Sequence, residues 1–212
     1  MLFQKRSFLT VMACFTFFSS ALFAQDIKLP QPVKSGGMPL MEALNKREST
    51  RTFNPEKKLS EQQLSNLLWA AFGVNRSSGK RTAPSARNFQ EIDIYACTAD
   101  GAYLYLAAEN TLKKVHSGDI RASAGKQDFV KKAPVVLVFV ADMTKLKSPS
   151  KDDKIFYAAT DTGFISQNVY LFCASEKLAT VVLGMVDKPA LHKTMGLKET
   201  QSIILSQPVG FP

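Results

Sequence analysis

Arg47-Glu48-Ser49-Thr50-Arg51 sets two guanidiniums and a hydroxyl at alternate positions. On an extended backbone alternate side chains share a face, so Arg47, Ser49 and Arg51 converge on one anion, which a planar guanidinium fork matches well. Pro84-Ser85-Ala86-Arg87-Asn88 is a loop of mostly small side chains that lets backbone groups approach a planar ligand, and Asn88 can donate and accept together. Gly125-Lys126-Gln127-Asp128-Phe129 adds the amide of Gln127, and Val182-Leu183-Gly184 closes a later apolar run on a residue without a side chain. Each segment also has a plainer reading: a solvated basic turn, an ordinary loop, a helix cap at Gln127. In order and together they suit one ligand that joins an anion to a polar ring. His116 and His192 are the only histidines, too few and too isolated for a His-based metal site, and no Ser/His/Asp or Cys/His constellation is present.

These residues need a scaffold, and its elements are readable. A helix is predicted from Pro39, at its first position, to about Lys46. A second starts at Ser60, with Gln63 completing a capping box, runs through Leu64, Leu67, Leu68 and Ala71, and stops at Gly73. Ile92, Ile94 and Ala96 alternate as in a strand, followed by a turn at Ala99-Asp100-Gly101 and a second strand from Ala102 to Leu106. Short helices are expected over 109–132. Pro134 to Val140 is a continuous apolar run rich in β-branched residues, the mark of a strand buried on both faces. One long helix is expected from Asp152 to Lys177, a strand from Thr180 to Gly184, a short helix capped by Asp187 and ending at Gly196, and a final strand from Ile203 to Val209. The class is α+β: a mixed central sheet sandwiched by helices, over residues 38–212, after an extended Pro/Lys/Gly leader at 25–37.

The amino terminus has the layout of a secretory signal over residues 1–24. Lys5 and Arg6 give the positive start, Ser7 to Phe18 the apolar run, and Ser19 to Ala24 a small-residue exit. The apolar run is shorter than the roughly 20 residues that span a bilayer, so cleavage near Ala24 and an exported, periplasmic or secreted protein are expected, with no stable membrane insertion. Loss of Lys5 and Arg6 lowers the net charge from +9 to +7. The remaining basic residues are scattered rather than clustered, which argues against nucleic acid as the partner. Cys97 and Cys173 remain after cleavage, either as a disulfide or as small buried residues.

The four segments resemble the nitroreductase-like FMN-dependent oxidoreductases over roughly residues 39–212. Gly101-Ala102-Tyr103-Leu104-Tyr105 followed by Glu109-Asn110-Thr111-Leu112 is similar to the thiazoline/oxazoline-dehydrogenase-like branch. The resemblance implies an FMN cofactor. It assigns Arg47, Ser49 and Arg51 to the phosphate, ribityl and N1/O2 region, and Val182, Leu183 and Gly184 to the ring near N5. It further implies an intertwined homodimer in which Pro84, Ser85, Ala86, Arg87 and Asn88 reach the flavin of the neighbouring subunit, with Gln127 another amide at the ring edge. NAD(P)H is the transient donor the family implies. Two departures are visible: Leu183 stands where familiar nitroreductases carry a carboxylate, and the last strand is followed by Gly210-Phe211-Pro212 instead of one or two basic residues. Arg121 or Lys126 is the candidate replacement.

Catalysis is then expected to be carried by the flavin, which passes hydride through N5 from a donor to a small conjugated acceptor such as a nitroaromatic or quinone. A non-catalytic flavin- or ligand-binding protein on the same fold is the second class.

Overall fold

The computed structural model describes residues 26–148 and 150–212, so the signal read over residues 1–24 lies outside it. Its centre is the strand β5, numbered with the other strands in chain order, at Val135–Asp142. Val135, Leu137, Phe139 and Ala141 enter one core while Val136, Val138 and Val140 enter another on the opposite face. An unbroken apolar run is what a strand covered on both sides requires.

β2 (Ile92–Thr98) and β7 (Gln201–Gly210) flank β5. Beyond β2 lie β3 (Gly101–Leu106), β4 (Thr111–Ser117) and the two-residue β1 (Ile27–Lys28), and beyond β7 lies β6 (Ala179–Thr180), giving the order β1-β4-β3-β2-β5-β7-β6. Every pairing is antiparallel, which corrects the expected mixed sheet while leaving the α+β class in place. The tight turns linking β2, β3 and β4 can join only antiparallel neighbours, and the long return through the helices brings β7 back against β5 in the opposite sense.

The helices cover both faces. α1 (Leu40–Lys46) follows Pro39, which sits just outside the first turn rather than in it. α2 (Glu61–Phe72) opens on the expected capping box: Ser60 Oγ accepts from Gln63 N–H at 3.2 Å, and Gln63 Oε1 accepts from Ser60 N–H at 3.0 Å. It stops at Gly73, where an added Cβ would run into Trp69. α3 (Lys151–Glu176) is capped by Ser150 and lays Ala158, Ile165, Val169 and Cys173 into the same core as Leu67, Leu68 and Phe72 of α2. The opposite face is closed by α4 (Lys188–Thr194) and by 3-10 turns at Arg121–Ala124 and Val130–Lys132.

Three expectations change here. Short helices over 109–132 give way in part to β4, a strand covered on its outer side only by the two-residue β1, whose exposed Lys113, Val115 and Ser117 leave the apolar alternation that marks a strand weak. The strand predicted over Thr180–Gly184 is only two residues long plus a bridge between Leu183 and Ser206. Continuing the register of Thr180 with Val209 sets Val181 opposite Pro208, which has no N–H to give, and the Thr180 hydroxyl bonds the Pro208 carbonyl instead at 2.8 Å. Finally, Cys97 and Cys173 are free thiols in cores on opposite faces of the sheet, which settles the open choice between pairing and burial in favour of burial.

Candidate functional site

Tyr170, near the end of α3, is the joint on which the first and last of the predicted segments meet. Its hydroxyl bonds Ser49 Oγ at 2.8 Å and accepts from Val182 N–H at 2.9 Å, while the Arg47 guanidinium lies 5.4 Å from the centre of its ring. Thr50 N–H donates to the Thr180 carbonyl at 2.9 Å, so the 47–51 segment runs extended along the end of the sheet. Arg47 and Ser49 therefore meet on Tyr170, with Ser49 and Arg51 exposed and Arg47 half-buried.

Leu183 has both backbone groups engaged by Ser206, at 2.7 and 3.0 Å, and its side chain is buried. It packs where a Cβ on Gly125 would come within 3.0 Å of its Cδ1, so the glycine is what lets the two segments close up. Lys126 N–H donates to the Met185 carbonyl at 3.0 Å, which brings Gln127 beside the same strand end. Gln127 Oε1 is buried and has no partner among the described residues. Gly184 is exposed, and no partner among the described residues takes its N–H. Arg47, Ser49, Val182, Leu183, Gly184 and Gln127 thus lie along one edge of the chain, and Arg51 follows Ser49 two residues on.

The Pro84–Asn88 loop does not join them within one chain. Ala86 N–H donates to Asp161 Oδ2 at 2.8 Å, and Asp161 lies nine residues before Tyr170 on α3, roughly 13 Å along the helix axis. Ser85 Oγ accepts from Gln90 N–H at 3.0 Å and Asn88 Oδ1 from Gln90 Nε2 at 3.1 Å, so the loop is closed on itself. Arg87 and Asn88 are both exposed.

Arg121 is spent elsewhere. Its fork grips Asp119 at 2.9 and 2.7 Å and a third nitrogen donates to the Ala133 carbonyl at 2.9 Å, a pairing that raises its pKa and lowers that of Asp119. Of the two candidate basic replacements, Arg121 has its nitrogens engaged by Asp119 and Ala133, and Lys126 is exposed beside Met185. A cavity of about 470 Å³ between the end of α1 and the last turns of α3 adds Lys46 and Lys177 around Arg47, although Ser49 and Arg51 do not line it. A larger cavity, about 590 Å³, lies by Trp69 under the leader and contains none of the predicted residues.

Tyr170, Asp161 and Glu91 were not singled out from sequence. Asp161 and Tyr170 did leave a signal: they occupy the inward stripe of α3 with Ala158, Ile165, Val169 and Cys173, where a polar side chain needs a partner. Glu91, fully buried at the start of β2, has its carboxyl pushed up to about 7, by burial first and then by the charge of Asp161.

An antiparallel sheet covered by helices on both faces, with a basic segment, a glycine strand end and a detached loop at its margins, defines an α+β fold with its candidate segments at the sheet's edge. A model of the nitroreductase family matches residues 44–211, and the chain belongs to that family of oxidoreductases. A candidate nitroreductase from Ralstonia eutropha JMP134, known as a crystal structure, is 41% identical, with 88% of this chain and 89% of that one covered and a TM-score of 0.83. A candidate nitroreductase from Methanocaldococcus jannaschii is 29% identical over 181 residues, 81% of this chain and 90% of the relative. The NADPH:FMN oxidoreductase of Vibrio harveyi shares the fold, with a TM-score of 0.61 at 20% identity over 82% of this chain and 68% of that one. Among the described residues no helix is long and apolar enough to cross a membrane.

Proposed function

We propose that this chain is an exported FMN-dependent oxidoreductase that works as a homodimer. The carrying observation is the Tyr170 joint, which brings the Arg47/Ser49 segment and the Val182–Gly184 strand end to one edge. The residues fit the cofactor: Arg47 and Ser49 suit its phosphate, Arg51 its pyrimidine edge, and the orphaned Gln127 Oε1 a ring N–H. FMN, when bound, supplies hydride exchange at N5.

The chain's own part is binding and electrostatics. Arg51 would supply positive charge to stabilise an anionic flavin, and Gly184, exposed and with its N–H unpartnered among the described residues, would leave room for the ring. Leu183, apolar and packed against Gly125, moves no proton, so protons exchange with solvent or substrate. NAD(P)H is the donor and a nitroaromatic, quinone or other small conjugated molecule the acceptor.

The dimer reading rests on two faces. α3 exposes Ile155, Phe156 and Phe164, and α1 exposes Leu40, Met41 and Leu44, apolar side chains that a subunit contact would cover. A second copy packed there carries its Pro84–Asn88 loop toward the edge that lacks it here.

The test is an absorbance spectrum of the protein after incubation with FMN and desalting, followed by anaerobic NADH, NADPH and dithionite. Retained flavin bleached by a nicotinamide supports the reductase. The Arg47→Ala, Arg51→Ala double variant should stay folded and lose at least about tenfold in FMN affinity, given charged hydrogen bonds worth about 1.5–3 kcal/mol each. Full flavin content in that variant would sink the site assignment. The second reading, a flavin carrier without turnover, is favoured by Leu183 and predicts retained flavin bleached by dithionite alone.

A further inference from the structure

Between Val33 and Met38 the chain is pinned at both ends and spans open space. Val33 N–H donates to Asn66 Oδ1 of α2 at 2.8 Å, and Met38 N–H donates to Ser175 Oγ of α3 at 2.8 Å. The four residues between, Lys34 to Gly37, are exposed, and their backbone groups have no partner among the described residues. Gly36 and Gly37 take left-handed backbone, at φ 91° and 83°, a conformation that costs glycine little and other residues more. A Cβ on Gly37 would stand 3.0 Å from Ser175 Oγ, so a side chain there would crowd the pin. The segment is an arch, and beneath it lies the cavity of about 590 Å³ beside Trp69, a volume within the range of small-molecule sites.

One face of each helix walls this cavity. α2 gives Asn66, Trp69 and Ala70, at i, i+3 and i+4, and α3 gives Asn168, Leu171 and Phe172 at the same spacing. Each asparagine uses half of its amide, and the half in use fixes its orientation. Asn66 Oδ1 accepts from Val33 N–H and, at 2.9 Å, from Gln62 Nε2, which leaves its Nδ2 without an acceptor among the described residues. Asn168 Nδ2 donates to the Ala70 carbonyl at 3.1 Å and to the Ala71 carbonyl at 3.4 Å, which leaves its Oδ1 without a donor. The Trp69 N–H is spent on the Val74 carbonyl at 3.0 Å, so the indole offers the cavity its ring alone. The ring's present neighbour is the exposed Lys34, whose Nζ lies 5.7 Å from its centre and makes no ion pair among the described residues. Lys34 and Glu176 put one charge of each sign on the lining, which favours neither an anion nor a cation.

We propose that the cavity under the arch binds an uncharged planar heteroaromatic with a ring lactam: the ring lies against Trp69, its carbonyl accepts from Asn66 Nδ2 and its N–H donates to Asn168 Oδ1. A lactam supplies one acceptor and one donor side by side, the complement of what the two asparagines leave unused. This site is separate from the Tyr170 edge, because Asn168 and Tyr170 are two positions apart on α3 and so about 200° apart around it. It does not rest on the flavin reading.

Trp69 is the only tryptophan of the chain, so its emission reports on the cavity directly. The experiment titrates the full chain with inosine and with uridine, both ring lactams, and with purine riboside, which has the ring of inosine without the lactam. Inosine or uridine should change the emission saturably, and purine riboside should bind about tenfold more weakly than inosine, as expected for about two lost neutral hydrogen bonds. Calorimetry on the same solutions separates binding from collisional quenching. Ala70→Leu fills the cavity while keeping both asparagines, and it should abolish the saturable response with an unchanged thermal midpoint. If that variant does not fold, the ratio of inosine to purine riboside in the wild type decides alone. Absence of saturable binding by either lactam, equal affinity for purine riboside, or an unchanged response in folded Ala70→Leu overturns the proposal.

Discussion

At the scale of the residue, the site depends on a side chain that offers no catalytic chemistry. Tyr170 spends its hydroxyl on Ser49 and on Val182 N–H and its ring on Arg47, so one phenol sets the spacing between the basic segment and the strand end. Tyr170→Phe keeps the ring and orphans the Val182 N–H. It is expected to cost about 1–3 kcal/mol, the range for a buried donor left without its partner, measured as a drop in the chemical-denaturation midpoint. FMN affinity should fall in the same variant, since Ser49 is no longer oriented; unchanged affinity would mean that Ser49 does not touch the ligand. From sequence, Arg47, Ser49 and Arg51 were legible because alternate spacing on extended backbone is a local property. Tyr170 was not, because its partners lie 121 and 12 residues away and only folding brings them within reach.

At the scale of the element, boundaries set by local chemistry were readable and those set by pairing were not. The Ser60/Gln63 box and the Gly73 stop need nothing beyond their own turn, and α2 begins and ends there. Ser60→Ala should destabilise the fold by about 1 kcal/mol, seen as a lowered thermal midpoint without loss of helical signal; an unchanged midpoint would show that water replaces the cap at no cost. β4 is the contrary case. Its Lys113-Lys114-Val115-His116 run carries little strand preference, and its conformation comes from the β3 ladder and from Asp26, which accepts Lys114 N–H at 3.0 Å. Tyr105 and Asn110, used above as marks of a family branch, hold the leader: the Asn110 amide accepts from the Tyr105 hydroxyl at 3.2 Å and donates to the Pro30 carbonyl at 2.7 Å.

At the scale of the whole molecule, the candidate segments lie in two places that a single chain keeps apart. The edge from Arg47 to Gln127 and the loop on Asp161 can serve one ligand only if two copies meet, and the exposed Phe156 and Phe164 of α3 are where we expect them to do so. The double variant Phe156→Glu, Phe164→Glu should run as a monomer in sedimentation analysis and lose flavin while each subunit stays folded, because burying like charges across a two-fold seam is unfavourable. A dimer that survives both glutamates would place the interface elsewhere. The sequence by itself determined the α+β class, the Ser60/Gln63 cap and the doubly buried β5, and it marked out the four candidate segments, since hydrophobic period, capping chemistry and side-chain spacing are local. Only the tertiary structure decided that every ladder is antiparallel, that the two thiols face opposite cores, that Arg121 is taken by Asp119, and that Glu91 is fully buried. Those are outcomes of long-range pairing and desolvation, which exist only once distant segments share a volume that excludes water.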